Sequence, residues 1–550
     1  MNLKRILAAA LSAATLLSLT ACSGGAASSN TPSKTNPASA PSTASQAEAG
    51  KVVYPIPGNK KLSIYGGFNY CTNAYSSRKE SPVHQWLAEA TGVELEWIEV
   101  PNGADASTYY NAMLADPSSL PDIICSWGAR GNSEQYVRDG IQVDITDELK
   151  TNAPDYLAYL DANPNVKKGL TLDSGKMPFV AGMLRETNWL RTYQGLACRG
   201  DLLQECGLEV PATVDEFENL IKTFKEKYNS TLKVESGAVG GQGAISGAYG
   251  VVSGFYVDSD GDKKIHFGGV EDGYREFLKR MNKWYQEGWL DPEFTSYDTN
   301  LVKASFIDGS TATISTTGGR ISSIVQEAEK TGKTEVKIQA IPNLTLEKGG
   351  KNYFGQAETA TREDGCWVTT NCKDVATAVQ FLNYGFTKEG ELLYNFFGKE
   401  GVSFEMKDGT PTFTDAVRND ELGIDAAVTK YSMTRADSVP TVQLEAFYRS
   451  YNRPEAIAAI DVWEKSKTDD GAWVVPELTP TSEEADQTST IETAITTYLN
   501  ENTVKFETGE LDINDDAAWN KFKSDLNNYG LETVLKVKND QLDRYNKRGN

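Results

Sequence analysis

Only two histidines, His84 and His266, occur in the 550 residues, so a histidine-dependent nucleophilic triad or a histidine-rich metal centre is hard to assemble. His84 lies off the apolar stripe of Val83, Trp86, Leu87 and Ala90 and reads as a solvated surface residue. Thiols are more numerous, but the six cysteines after Cys22 are spaced like neither a zinc site nor a disulfide scaffold. Cys366 and Cys372 flank Trp367-Val368-Thr369-Thr370, which reads as a strand. Extended, the two would stand about 20 Å apart, far beyond the roughly 7 Å reach of a disulfide. Free, mostly buried thiols are expected. Carboxylates are plentiful, and an opposed pair can cleave a glycosidic bond, but no spacing sets two of them opposite each other. The run Asp258-Ser259-Asp260-Gly261-Asp262 offers oxygen ligands for calcium, yet Gly261 is misplaced for an EF-hand loop and no Glu closes it. It fits better as a hairpin turn between Phe255-Tyr256-Val257 and Ile265-His266-Phe267. The glycine-rich stretch from Gly237 to Gly250 lacks the following Lys-Ser/Thr of a phosphate loop. Arg199-Gly200-Asp201 spells an adhesion tripeptide, but it sits where a strand turns into a helix that Asp201 can cap. No metal and no cofactor is expected.

Cys22 stands apart from these. Lys4 and Arg5 precede an apolar run, Ile6 to Leu19, which is shorter than the roughly 20 residues of a membrane span. Leu19-Thr20-Ala21 then supplies the small residue of a secretory processing site. With Cys22 directly after it, the pattern resembles a bacterial lipobox. That resemblance implies a lipid on the Cys22 thiol, cleavage of residues 1–21 and tethering at the extracellular face of the cell membrane without crossing it. Each buried methylene of such an anchor contributes about 0.8 kcal/mol. The alternative is an ordinary secretion signal that contains a cysteine. Residues 22–50 are nearly all Ser, Ala, Gly, Pro, Thr and Asn, a composition that cannot offset its ordering entropy and so forms a flexible spacer.

The elements that would position a site begin after the spacer, in a body long enough for two domains with their own cores. Strand and helix patterns alternate, which predicts an α/β architecture. Lys61-Leu62-Ser63-Ile64-Tyr65 is a strand leading into the loop Gly66-Gly67-Phe68-Asn69-Tyr70. Val93, Leu95 and Trp97 alternate with Glu94 and Glu96 in a half-buried strand, and Ile123-Ile124-Cys125 is a short buried one. Thr213-Val214-Asp215-Glu216 is a capping box opening a helix whose core face is Phe217, Leu220, Ile221 and Phe224. Tyr274, Phe277, Leu278, Met281, Trp284 and Tyr285 mark a second amphipathic helix, so Trp284 reads as core. Trp86, Trp97, Trp289 and Trp519 are likewise assigned to core or interdomain packing. The formal charge of −22 argues against nucleic acid, whose backbone needs neutralising Lys and Arg, and keeps a secreted protein soluble.

Several local patterns, in order, resemble the extracellular solute-binding proteins of bacterial ABC importers. The resemblance is to the carbohydrate branch, family 1, and within it to long lipoproteins of LipO type. The patterns run from Met113-Leu114-Ala115 and Leu120-Pro121-Asp122-Ile123-Ile124 through Val143-Asp144-Ile145-Thr146-Asp147. They continue with Arg199-Gly200-Asp201-Leu202-Leu203, Cys206-Gly207-Leu208 and Asp215-Glu216-Phe217, then with Tyr285-Gln286-Glu287-Gly288-Trp289-Leu290-Asp291-Pro292. Gly398-Lys399-Glu400-Gly401-Val402 and Phe506-Glu507-Thr508-Gly509-Glu510 close the series, which covers residues 60 to 545. Some relatives carry a calcium loop soon after the Asp215-Glu216-Phe217 element; Lys225 to Gly240 has no such series of aspartates, and no calcium is expected there.

The resemblance implies a two-lobe, periplasmic-binding-protein-like fold of type II, hinged between lobes around a ligand cleft. Residues 51–180 with about 365–435 would form one lobe, and 181–364 with about 436–550 the other. It further implies a monomer that captures a sugar or oligosaccharide and hands it to permease subunits, without chemistry. A surface glycan-cleaving lipoprotein using paired carboxylates is the alternative. Sugar recognition needs aromatic faces for the ring C–H groups and polar side chains for the hydroxyls, and ligands gather beyond strand ends in open α/β sheets. The candidates are therefore Asn69 and Tyr70 after the first strand, and Trp127 and Arg130 after the Pro121-Asp122 strand. Asn188, Trp189 and Tyr193 join them near the first expected crossover, around residues 178–195. Tyr249 precedes the hairpin, Arg320 follows Thr316-Thr317-Gly318-Gly319, and Tyr448 and Arg449 fall where related proteins place an aromatic cleft residue.

Overall fold

A computed structural model describes residues 51–66, 75, 77–101, 103–126, 133–235, 241–361, 364–421, 424–433, 440–468 and 471–548. Its strands in chain order are β1 (Lys60–Tyr65), β2 (Val93–Ile98), β3 (Ile123–Ser126), β4 (Val180–Ala181), β5 (Met183–Arg185), β6 (Gln194–Arg199), β7 (Leu232–Lys233), β8 (Phe255–Val257), β9 (Ile265–Phe267), β10 (Thr313–Thr317), β11 (Ile338–Ile341), β12 (Gly365–Val368), β13 (Phe404–Lys407), β14 (Thr410–Phe413) and β15 (Thr441–Gln443). Helices separate most of them, and the fold is α/β.

Burial follows the sequence pattern. In β2, Val93, Leu95 and Trp97 are buried while Glu94 and Glu96 face water, the period-two signature of a half-buried strand. Every residue of β3 is buried, as in a strand covered on both faces. The first sheet has the order β2-β1-β3-β12-β4, with β1 parallel to both neighbours and β12 antiparallel to β3. The second has the order β11-β6-β10-β7, in which β6 runs antiparallel to both of its neighbours. Each sheet has its own core. Ile64, Ile123 and Trp367 belong to the first; Phe217, Trp284 and Trp519 belong to the second. A third, smaller core gathers Phe397, Phe404, Phe413 and Phe447 beside Met183 of β5, which pairs in parallel with β15.

The capping box forms as expected: Thr213 and Glu216 exchange side-chain bonds at the start of the helix Val214–Tyr228. Its Phe217, Leu220, Ile221 and Phe224 are buried, as are Tyr274, Phe277, Leu278, Met281 and Trp284 of the helix Asp272–Gln286. Trp97, Trp289 and Trp519 are buried, and Trp86 is half-buried and stacked on Tyr431. β8 and β9 form the expected hairpin, with Tyr256 opposite His266. Among the described residues no helix is long and apolar enough to cross a membrane.

Three expectations are corrected. His84 is buried, not solvated, because Trp97 of β2 meets its ring edge-on at 5.0 Å and widens the covered arc of the helix Pro82–Thr91. The thiols are not all free: Cys125 and Cys366 form a disulfide. They are opposite each other on adjacent antiparallel strands, with Cα atoms 4.1 Å apart, a pairing across 241 residues that local spacing does not reveal. Cys198 and Cys372 are free and buried, and Cys206 is free and half-buried. Asp201 lies inside the first turn of the helix Gly200–Glu205, where it takes two bonds from the Arg199 guanidinium instead of capping.

Candidate functional site

At the carboxyl end of β1, Tyr65 stacks against Tyr109 and Tyr110 at 6.1 and 5.9 Å. Gly66 follows, and a Cβ there would stand 3.1 Å from both the Arg78 guanidinium carbon and the Trp97 ring. The missing side chain lets Arg78, 1% exposed, lie over Trp97 and pair with Glu99 at 3.4 Å. Beyond the end of β3, the Tyr110 hydroxyl meets Ser126, Tyr136 and Trp367, and burial holds its pKa well above the usual phenol range. This aromatic cluster makes a rigid base at the ends of β1 and β3. Asn69, Tyr70, Trp127 and Arg130, which follow those ends in sequence, lie outside the described residues, as does Cys22.

The second sheet contributes a more complete group. Thr317, at the end of β10, caps the helix Gly318–Lys330 by accepting from the Arg320 amide. The Arg320 guanidinium then donates to Glu235 at 3.0 Å and lies over the Tyr297 ring at 5.0 Å. Gln194 donates to the same Glu235 oxygen at 3.2 Å. Tyr297, Arg320, Thr316 and Gly319 line a cavity of about 150 Å³. The Tyr193 carbonyl accepts from the Gly318 amide, and the Tyr193 amide donates to Gln356. A Cβ on Gly318 would lie 2.8 Å from Ile460, so glycine is what lets Ile460 pack against this helix start, with the Tyr448 hydroxyl beside it at ordinary contact distance. The structure thus brings Tyr193, Arg320 and Tyr448 together around one helix start.

The remaining candidates are placed differently. Trp189 is 8% exposed: the Arg449 guanidinium covers its face at 4.1 Å, Tyr448 meets it edge-on, and its N–H donates to Asp461 at 2.8 Å. Arg449 also pairs with Glu445 at 2.6 Å. Asn188 is exposed and accepts from Arg191. Tyr249 packs edge-on against Phe277 in the second core, with its hydroxyl beside Arg280; burial raises its pKa. Gln194, Glu235, Tyr297 and Gln356 escape sequence reasoning. Glu235 and Tyr297 had only one signal, their position after β7 and before the helix that precedes β10.

Beneath this corner three chain segments cross. Arg185, at the end of β5, donates to the Leu190 carbonyl, to Gln443 of β15 and to Glu358. Arg191 donates to the Glu358 carbonyl, and Thr192 to Glu464. Each of Arg78, Arg185, Arg320 and Arg449 faces a carboxylate, so the described walls are polar without net positive charge. Such walls suit a ligand rich in hydroxyls and C–H faces.

Residues 74–392, more than half the chain, match the family of bacterial extracellular solute-binding proteins, and the chain belongs to that family. Lipoprotein LipO of Bacillus subtilis is 26% identical over 369 residues, covering 63% of this chain and 68% of LipO. The fructooligosaccharide ABC transporter substrate-binding protein FusA of Streptococcus pneumoniae is 21% identical over 495 residues, covering 85% of this chain and 87% of FusA. In three dimensions the chain superimposes on an extracellular solute-binding protein from Bifidobacterium longum subsp. infantis with a TM-score of 0.72 at 18% identity, covering 89% of this chain and 99% of that one. What they share is the fold, two lobes of the periplasmic-binding-protein type around a cleft.

Proposed function

We propose that this protein captures a sugar or oligosaccharide between its lobes and delivers it, unaltered, to the permease of an ABC importer. A lipid on Cys22 would hold it at the extracellular face of the membrane, as the LipO likeness and the lipobox pattern suggest. The lobes are assigned as residues 51–180 with about 365–435, and 181–364 with about 436–550. The observation that carries the reading is the Arg320 group, in which an aromatic face, a guanidinium and a carboxylate are fixed at the carboxyl end of β10. Tyr193 and Tyr448 complete that wall. Asn69, Tyr70, Trp127 and Arg130 are the further proposed ligand contacts, while Trp189, Asn188 and Arg449 lie at the crossing segments. FusA, named for fructooligosaccharides, aligns over most of both chains. The carboxylates beside Arg185, Arg320 and Arg449 favour a neutral saccharide over a uronate. Closure depends on ligand because contacts from both walls coexist only around it.

A thermal-shift screen of the purified protein against neutral and uronate oligosaccharides tests this, with the sugar recovered afterwards. A neutral ligand should raise the melting temperature and return intact, and Arg320→Ala should weaken it about tenfold. Shortened products would replace capture with paired-carboxylate cleavage. Stabilisation by no saccharide at all would sink the proposal.

A further inference from the structure

We propose that the β8–β9 hairpin carries a divalent transition-metal site, best suited to zinc, formed by Asp258, Asp262 and His266. One ligand atom from each of the three lies within 4.8 Å of the others. His266 Nε2 and Asp262 Oδ1 are 3.1 Å apart, a little inside the roughly 3.3 Å edge of a tetrahedron with metal–ligand bonds near 2.0 Å. Register produces the cluster. His266 is paired across the hairpin with Tyr256, and Asp258 stands two residues beyond Tyr256 on the same face. Backbone bonds fix the carboxylates: Asp258 accepts from the Gly261 amide and Asp262 from the Lys264 amide, at 2.8 and 2.9 Å. The site is half exposed and open to entry.

A second layer is already built behind the imidazole. Glu271 Oε1 stands 3.8 Å from Nδ1 of His266, the nitrogen turned away from the cluster. The Tyr256 hydroxyl donates to both Glu271 oxygens, at 2.8 and 2.9 Å. A carboxylate behind the far nitrogen is the arrangement that orients a metal-binding imidazole and selects its tautomer. At 3.8 Å Glu271 acts on the ring electrostatically, and a small turn of the imidazole would bring Nδ1 within hydrogen-bond reach of it while Nε2 faces an ion. Imidazole with two carboxylates suits zinc or a neighbouring transition ion, whereas calcium takes six to eight oxygens. The hairpin is anchored elsewhere as well, by Asn539 of the C-terminal helix to Ile265 and by Val257 to the Trp473 carbonyl. An ion there would cross-link a preformed scaffold.

The test is titration of chelator-treated protein by calorimetry with zinc, calcium and magnesium chlorides, and by absorption with cobalt. One zinc equivalent should bind in the micromolar range, and cobalt should show the intense visible bands of a four-coordinate ion. His266→Ala and Asp262→Asn should each weaken zinc more than about tenfold, and Glu271→Gln about tenfold through ring orientation. Unchanged far-UV dichroism and unchanged sugar binding would confirm that these variants fold. Zinc affinity in His266→Ala equal to that of the unaltered protein, calcium binding tighter than zinc, or no binding at millimolar zinc would each overturn the proposal.

Discussion

Glu507, in the helix Ser482–Thr508, has no solvent exposure, and one of its two carboxyl oxygens finds no partner. The other accepts from Gln242 at 2.8 Å. Burial pushes its pKa up to about 8, above the ordinary 4.5. The folded state therefore holds this proton more tightly than the unfolded chain. The associated stability is complete below about pH 4.5 and is lost as pH rises through about 8. Glu507→Gln keeps the bond to Gln242 and removes the charge. It should stabilise the protein by about 4 kcal/mol near pH 8 and by almost nothing near pH 4.5, as read from melting curves at both. An equal shift at the two pH values would refute the buried-acid assignment. Trp189 illustrates a different residue-scale lesson. Its indole looks like a sugar platform in sequence, but a ring whose face carries Arg449 and whose N–H is committed to Asp461 works as a post for the crossing segments.

The strands β3 and β12 lie far apart in sequence, and the Cys125–Cys366 disulfide ties them at the floor of the first sheet. Both cysteines are buried, so reductant reaches them only through unfolding. The double variant Cys125→Ala/Cys366→Ala should lose about 2–4 kcal/mol in denaturant unfolding. Added reductant should then leave it unaffected while lowering the unaltered protein to the same midpoint. At the helix Val214–Tyr228, Thr213→Ala removes one half of the capping box and should cost about 1 kcal/mol. A loss below a few tenths would mean that the neighbouring bond from the Val214 amide to Thr345 already holds the turn. These two elements show what sequence conveys. The Phe217, Leu220, Ile221, Phe224 stripe and its cap are local regularities, legible because every partner lies within one helix. The β8–β9 hairpin was legible for the same reason. The disulfide was not, since its partner is set by sheet order, and His84 was misread because Trp97 covers it from another strand.

For the whole molecule, alternation of strands and helices conveys the α/β architecture and the family resemblance implies its two lobes, but the Arg320 corner needs tertiary knowledge. Glu235, Tyr297 and Gln194 meet Arg320 from three separate segments, and Tyr249 sits with Phe277 although its sequence position beside the hairpin suggested the cleft. The lobes also touch outside the candidate site. Asp173 follows Leu172 of the first core, and it receives Arg544 and Arg548 at 2.7 Å each from the C-terminal helix, whose Leu531 and Val534 belong to the second core. Arg544 is held in turn by Glu484 and Arg548 by Thr479. The two guanidinium groups are thus preset, and among the described residues Asp173 is the partner the other lobe contributes to them. Removing a single member of such a partly buried network leaves charge unpaired, which is costly where the pair itself is not. Asp173→Ala should therefore loosen the lobes, which Lys168 against Tyr545 and Ser482 against Gln135 still bridge, while leaving every cleft residue intact. In solution scattering, the ligand-free protein should show a larger radius of gyration than the unaltered chain. Apparent sugar affinity should fall about fivefold, the share lost when the competent arrangement becomes a minor population. A variant with the original radius and affinity would show that this contact plays no part in holding the lobes together.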